Sequence, residues 1–402
     1  MMKATLITRG LMIAGLISSL PAAHAAGTWF EARNDAMGGT GVASSKYGSA
    51  PLLNPALLTK SEPGDDLSII LPSVGAQLSD PDNLQDGFDN VKHAWDKLEK
   101  STGTDNSAAS ATELRKSLTD ISGDSGRADA GVSAVIAAPN DTLPFALVIK
   151  GWGQAKARAV VSKSDLAYLD AAGTGIVQPD EAALNNLTSR AEGVAAVVRE
   201  YGIAMAHQFT LAEIPVSVGI TPKFQRVDTW NYNVAINNYS TSDFRSGDWK
   251  RSESGANVDL GFSADLTPEW TVALAGQNLV ARSIDTREVN GQQDSFKIRP
   301  QATAGTAWSN GLVTFAADVD VTPTSGFASD EKRQYAGVGA ELNAWSWAQL
   351  RAGYRADMRN SDNNVVTAGI GISPFDVVHL DLTGMAGTDR TYGAVAQLAV
   401  TF

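Results

Sequence analysis

No cysteine occurs anywhere in the 402 residues. That absence excludes disulfide staples, thiol catalysis, iron–sulfur ligation and Cys-type zinc sites. Beyond residue 26 the chain also lacks any uninterrupted apolar run of the ~20 residues that a membrane-crossing helix needs. Histidine is scarce. The four, His24, His93, His207 and His379, lie too far apart in sequence to suggest a metal-ligand cluster. Basic charge is in deficit as well: setting aside Lys3 and Arg9 from the 32 basic side chains leaves 30 against 44 acidic ones, a net of −14. Phosphate backbones require a basic face, so nucleic acid is not an expected partner. No cofactor and no metal is expected either.

The N-terminus carries an export pattern. Lys3 and Arg9 form a basic start, Leu11 to Leu20 is an apolar run too short to span a bilayer, and Ala23-His24-Ala25 has the small-x-small form of a cleavage site. Residues 1–25 are therefore expected to be a signal peptide, and the protein is expected in the outer membrane of a Gram-negative bacterium.

What the rest of the chain has in quantity is period-2 alternation, which sends successive side chains to opposite faces of a sheet. Tyr392, Ala394, Ala396, Leu398, Val400 and Phe402 share one face, and Gly393, Val395, Gln397, Ala399 and Thr401 the other. The same pattern runs through Val258 to Leu266, Val313 to Val321, Ala348 to Asp357 and Val378 to Thr383. Segments of about ten residues, with apolar faces rich in small residues and charged opposite faces, suit lipid outside and a polar lumen within. Strands are expected near 66–78, 127–138, 143–161, 191–209, 213–229, 255–266, 270–282, 295–308, 311–321, 331–343, 347–357, 364–373, 377–387 and 391–402. The fold class is all-β: a 14-stranded antiparallel transmembrane barrel over 66–402, with membrane lipid as its surroundings.

Two further patterns fit. Connections alternate between short turns and longer loops, as periplasmic and outer connections do in such barrels. Trp270, Trp308, Trp345 and Trp347, with Phe375 and Phe402, fall at one end of the strands, where amphipathic rings sit at a membrane interface. The long outer loops 79–126 and 162–190 look partly helical. Val91, Ala94, Trp95 and Leu98 recur at helical spacing, as do Leu114 and Leu118, and Ala182 to Glu192 is another candidate helix.

Several apparent chemical motifs lack their settings. Gly39-Thr40-Gly41 has no preceding strand or βαβ unit to make a dinucleotide loop. Asp318-Val319-Asp320-Val321-Thr322 resembles a phosphatase nucleophile motif but lies in a meander of strands, where that spacing merely puts two carboxylates on one face. No catalytic constellation emerges, and an enzyme is not expected. The candidate lumen lining is charged: Lys297, Arg299, Arg351, Arg355 and His379 with Asp318, Asp320, Asp357 and Asp381, joined by Asp259 and Asp265. Such groups must pair or stay hydrated. They can form a network that fills the barrel and pins an internal segment, or a selectivity lining.

The stretch Arg33 to Leu58, RNDAMGGTGVASSKYGSAPLLNPALL, carries Ala36-Met37-Gly38-Gly39 with Gly41, and Asn54-Pro55-Ala56. It resembles the N-terminal signature of FadL-type long-chain fatty acid transporters and their PorV-like relatives. The whole chain is similar to the exported barrel family known as conjugal transfer protein TraF. A thioredoxin-like plasmid protein shares that name, but the lack of cysteine excludes it. The resemblance implies fourteen strands and an N-terminal plug or hatch, here 26–65, folded into the lumen. Gly38, Gly39 and Gly41 would then permit tight turns and Asn54-Pro55 a rigid one. It implies passive transport of small hydrophobic molecules, with a hydrophobic ligand as partner. The alternative it leaves is a docking component of a conjugation or secretion apparatus with an envelope protein partner.

Overall fold

The computed structural model describes residues 30–62, 65–236, 249–345, 347–374, 377–388 and 390–402. The proposed signal peptide and Phe375 lie outside the described residues. Fourteen strands form one closed antiparallel barrel. In chain order they are β1 (Ser68–Ser79), β2 (Ser125–Ala138), β3 (Phe145–Val160), β4 (Arg190–Leu211), β5 (Ile214–Ala235), β6 (Lys250–Asp265), β7 (Trp270–Gln277), β10 (Gln301–Ser309), β11 (Val313–Asp320), β12 (Tyr335–Trp345), β13 (Ala348–Asp357), β14 (Val365–Ile372), β15 (Val378–Gly387) and β16 (Thr391–Thr401). Closure is made by β1 against β16, from Ser68 opposite Thr401 to Ser79 opposite Thr391. The barrel sheet itself therefore has no free edge strand among the described residues.

The alternation seen in the sequence is the alternation of faces. Leu147, Ile149, Tyr201, Ile203, Phe224, Leu350 and Leu398 project outward and are exposed, as a lipid-facing surface requires. Asp259, Asp318, Arg351, Arg355 and Gln397 project inward and are buried. Trp270, Trp308, Trp345 and Trp347 are exposed at the end with the short turns, and Trp308 stacks on Phe315 and Trp345 on Trp347 with centroids about 6 Å apart.

The expected strand near 295–308 is two strands. Ser295–Ile298 is β9, which pairs with β8 (Arg282–Asp285) in a separate hairpin, and β10 starts after Pro300. Proline has no N–H to give to a ladder, so the run breaks there. Likewise β7 ends at Gln277, before Asn278, whose φ is +52°. Phe296 and Ile298 swing into the outer mouth, where they pack with Trp152, Val198, Val227, Ile284 and Phe327. The outer loops carry helices Leu84–Ser101, Ser107–Asp120 and Lys163–Gly173, whose apolar stripes Leu84, Phe88, Val91, Trp95, Leu98, Leu114, Leu118 and Leu169 share one core. The candidate helix at 182–192 reaches only Glu181–Asn185. Beyond it Asp165 accepts hydrogen bonds from the backbone of Thr188 and Ser189 and turns the chain into β4.

The lower lumen is filled by the chain itself. Residues 30–59 lie inside the barrel as a helix Ala32–Ala36, a short turn Ala50–Leu53 and a 3-10 turn Pro55–Thr59, nearly all buried. This close fit depends on glycines of the barrel wall. A Cβ on Gly339 or Gly353 would lie inside van der Waals contact with the backbone of Met37 and Gly38, and one on Gly337 would meet the Gly38 carbonyl at 2.5 Å. Gly219 and Gly261 make the same room for Pro55 and Ala56. A Gly339→Val substitution on an otherwise paired strand is therefore expected to leave the barrel formed but eject the segment around Met37. In limited proteolysis of the folded barrel, residues 30–59 should become cleavable. Full protection equal to the parent would show that the glycine seat is dispensable.

Candidate functional site: the plug and its sockets

The plug meets the wall at several polar points, three of them centred on Glu341, Asp318 and Asn54. At the first, the Arg33 guanidinium donates to Glu341 with Nε at 2.8 Å and Nη2 at 3.0 Å, a two-pronged contact. Glu341 also accepts from Arg351 Nε at 2.7 Å, and Arg351 pairs with Asp381. All four side chains are buried, Glu341 to 3% exposure. One carboxylate thus lies between two guanidiniums, and a second balances the chain. At the second point, Asp318 Oδ2 accepts the backbone N–H groups of Gly41 and Val42 at 2.7 and 2.9 Å. At the third, Asn54 caps the 3-10 turn by accepting from Ala56 N at 3.1 Å, and donates to Val42 O at 2.8 Å and Phe262 O at 3.2 Å.

Threonines of the wall complete the set. Thr367 Oγ1 donates to Ala36 O at 2.8 Å and accepts from Gly38 N at 3.0 Å. Thr383 donates to Ala32 O at 2.5 Å, and Gln397 donates to Glu31 at 3.1 Å. The plug thereby obtains partners for backbone groups that its short helix leaves open.

The two quoted motifs fall at these contacts. Ala36 and Gly38 meet Thr367, Met37 is fully buried among Val42, Ala273 and Ala316, and Gly39 lies against the Arg355 side chain. Gly38 has φ +73° and Gly39 φ +78°, a region closed to most L-residues. At Gly38 a Cβ would also meet the Tyr354 and Val338 carbonyl oxygens at 2.6 and 2.7 Å.

The candidate lining residues divide. Asp318, Arg351 and Asp381 serve the plug contacts described. Arg355 donates to Gln77 Oε1 at 2.9 Å and covers the Tyr335 ring, and Asp320 accepts from Thr303 at 2.8 Å and from Tyr335 N at 3.0 Å. Asp357 holds the outer turn through Asn363, and His379, at the opposite end, bonds Ser373 at 2.9 Å. Lys297 is not on a barrel strand: it lies on β9, bonded to Ser283 Oγ at 2.5 Å, and Arg299 lies in the link to β10, because Pro300 ends the barrel strand. Asp265 pairs with Lys60, at the end of the plug. On the opposite wall a second network joins Lys150, Lys223, Glu200 and Asp259 through contacts of 2.9–3.3 Å, apart from the plug. Among the described residues no group of three or more His, Asp or Glu is placed to hold a metal.

Glu341, Arg33, Thr367 and the seat glycines were not among the sequence candidates. A signal for them existed: Gly337, Gly339 and Glu341 sit at alternate positions of one strand, so small residues and a carboxylate share the lumen face.

These features define a class, a fourteen-stranded barrel of the FadL-type fold whose lumen is occupied by its own N-terminal segment. Three solved structures of that fold run the length of the chain. They are the toluene transporter TbuX of Ralstonia pickettii (12% identity, 92% of this chain and 98% of that one, TM-score 0.55), the toluene transporter TodX of Pseudomonas putida (12%, 95% and 98%, 0.53), and a FadL homologue of Pseudomonas aeruginosa (10%, 95% and 98%, 0.52). A search of curated proteins found no match. The family model described as "F plasmid transfer operon, TraF, protein" matches residues 51–320, well over half the chain. The chain belongs to that TraF family.

Removing the anion between the two guanidiniums should be costly, since it strands buried positive charge. Glu341→Ala is expected to lose about 3–5 kcal/mol of stability in urea unfolding from detergent micelles. A loss under about 1 kcal/mol would place Glu341 among the solvated surface pairs instead.

Proposed function

We propose that this protein lets small hydrophobic molecules pass passively across the outer membrane of a Gram-negative bacterium, with residues 30–59 acting as a hatch. One observation carries the reading: two structures described as toluene transporters match this fold over 92% and 95% of the chain and 98% of their own length. Two features support it. The plug is held by non-covalent points, Arg33–Glu341, Asp318 with the Gly41 and Val42 amides, and Asn54, so it can shift without breaking the barrel. The outer mouth is packed by a buried apolar cluster of Trp152, Ile284, Phe296, Ile298 and Phe327, with Phe296 and Phe327 in edge contact at 5.3 Å, so the lumen there is apolar rather than charged. Export by a signal peptide at 1–25 belongs to the same reading.

A second reading draws on the family's description. A member of a transfer-operon family can serve as an envelope docking component of a conjugation apparatus, with the helical outer cap or the periplasmic turns as its contact surface. It requires a stable protein partner, recoverable by crosslinking in intact cells.

Toluene entry into proteoliposomes separates them. The intact protein is expected to speed entry over protein-free vesicles, and deletion of residues 34–55 from a correctly folded barrel is expected to change that rate at least several-fold. Rates equal to protein-free vesicles for both proteins would remove transport and leave the docking role.

A further inference from the structure

Strands β3, β4 and β5 line, with the β8–β9 hairpin turn, a half-open cavity of about 180 Å³ at the outer mouth. A cavity of roughly 150 Å³ is enough to take a benzene ring, so this one accommodates a six-membered ring with some of its substituents. Its walls are unlike the aromatic cluster below. They present the amides of Asn233, Gln292 and Gln293, and the charged groups Lys156, Arg158, Glu192 and Asp294.

The charges are already answered within the protein. Lys156 pairs with Asp330 at 3.2 Å, and Glu192 accepts from Arg158 and Arg190, each at 2.7 Å. Asp294 accepts from Ser295 N at 2.7 Å and from Ser329 Oγ. Two cations and two carboxylates line the space, so it carries no net charge with which to draw an ion.

What is not answered is neutral. Asn233 is 2% exposed, lines the cavity, and neither its Oδ1 nor its Nδ2 has a hydrogen-bond partner. Its backbone is fixed: it is paired with Glu192 across the β4–β5 ladder, and its carbonyl accepts from Asn290 Nδ2 at 3.0 Å. A buried amide without partners is costly, and one donor beside one acceptor calls for a ligand that offers both. Hydroxyl groups do so. Val194 adds an apolar patch for a C–H face, and the exposed Gln292 and Gln293 at the rim leave a way in from outside.

From the cavity's size, its charge balance and the buried, unpartnered amide of Asn233 at its wall, we propose that the outer mouth is a binding site for a neutral polyhydroxylated ring, a sugar of monosaccharide size. The ring comes either as a free sugar or as a unit of the surface lipopolysaccharide. The site is separate from the hatch and borders the apolar cluster through Val194, and its existence does not rest on the transport reading.

The test is equilibrium dialysis of the full chain, purified from outer membranes in mild detergent. The probes are D-glucose, D-galactose, D-mannose, N-acetyl-D-glucosamine and lipopolysaccharide core oligosaccharide. At least one is expected to bind saturably to a single site, with affinity reduced about tenfold by Asn233→Leu. Should that variant not fold, the rim variant Gln292→Ala/Gln293→Ala is expected to weaken binding several-fold in its place. Binding of a monosaccharide assigns a free sugar, and binding of the core oligosaccharide alone assigns the membrane's own saccharide. No saturable binding of any probe, or binding unchanged in the folded variants, overturns the proposal and leaves a cavity that holds water.

Discussion

A closed sheet of fourteen strands encloses more space than its own inward side chains fill, and the rest of this structure follows from how that space is occupied. Here the filler is peptide backbone. Backbone can lie against a strand only where the strand has no side chain, which is why Gly337, Gly339 and Gly353 face Met37 and Gly38, and Gly219 and Gly261 face Pro55 and Ala56. Backbone also brings polar groups that must be satisfied in a space shut off from water. Thr367, Thr383, Asp318 and Gln397 meet that need from the wall, and Asn54 from the plug itself.

The Arg33–Glu341–Arg351–Asp381 chain adds position more than net stability. Its desolvation penalty offsets much of its Coulomb energy, so its clearest effect is on where the helix Ala32–Ala36 can sit. A contact of this kind tolerates neither loss of one partner nor a shift of register. The proposed hatch would require this chain to open as a unit, with all its charges hydrated together.

The barrel was legible in the sequence because its determinant is local. Lipid on one side and a polar lumen on the other impose period 2, and Tyr392 to Phe402 or Val313 to Asp320 display it without help from the rest of the chain. The hairpin of β8 and β9 was not, because Phe296 and Ile298 alternate with Lys297 and Arg299 just as lipid-facing residues would. Only Pro300 marks the break. The AMGG and NPA motifs gave the location of the plug through a family resemblance, but their sockets are spread over β5, β6 and β12 to β15. A glycine inside a strand reads locally as a weak strand position, and its purpose shows only when the backbone of Met37 or Pro55 is seen above it. The contact of Arg33 with Glu341 spans 308 positions, a distance over which a single sequence carries no pairing signal.

The proposed hatch is buried at rest and moves when a hydrophobic ligand passes. The cysteine-free chain permits a direct measurement: Met37→Cys creates its sole thiol, at a position with no exposed surface. Its rate of labelling by a membrane-impermeant maleimide would be measured in the folded protein with and without toluene. Slow labelling alone and clearly faster labelling with toluene are expected. Rapid labelling of the unliganded protein would contradict a buried plug, and equal slow rates in both conditions would contradict a hatch.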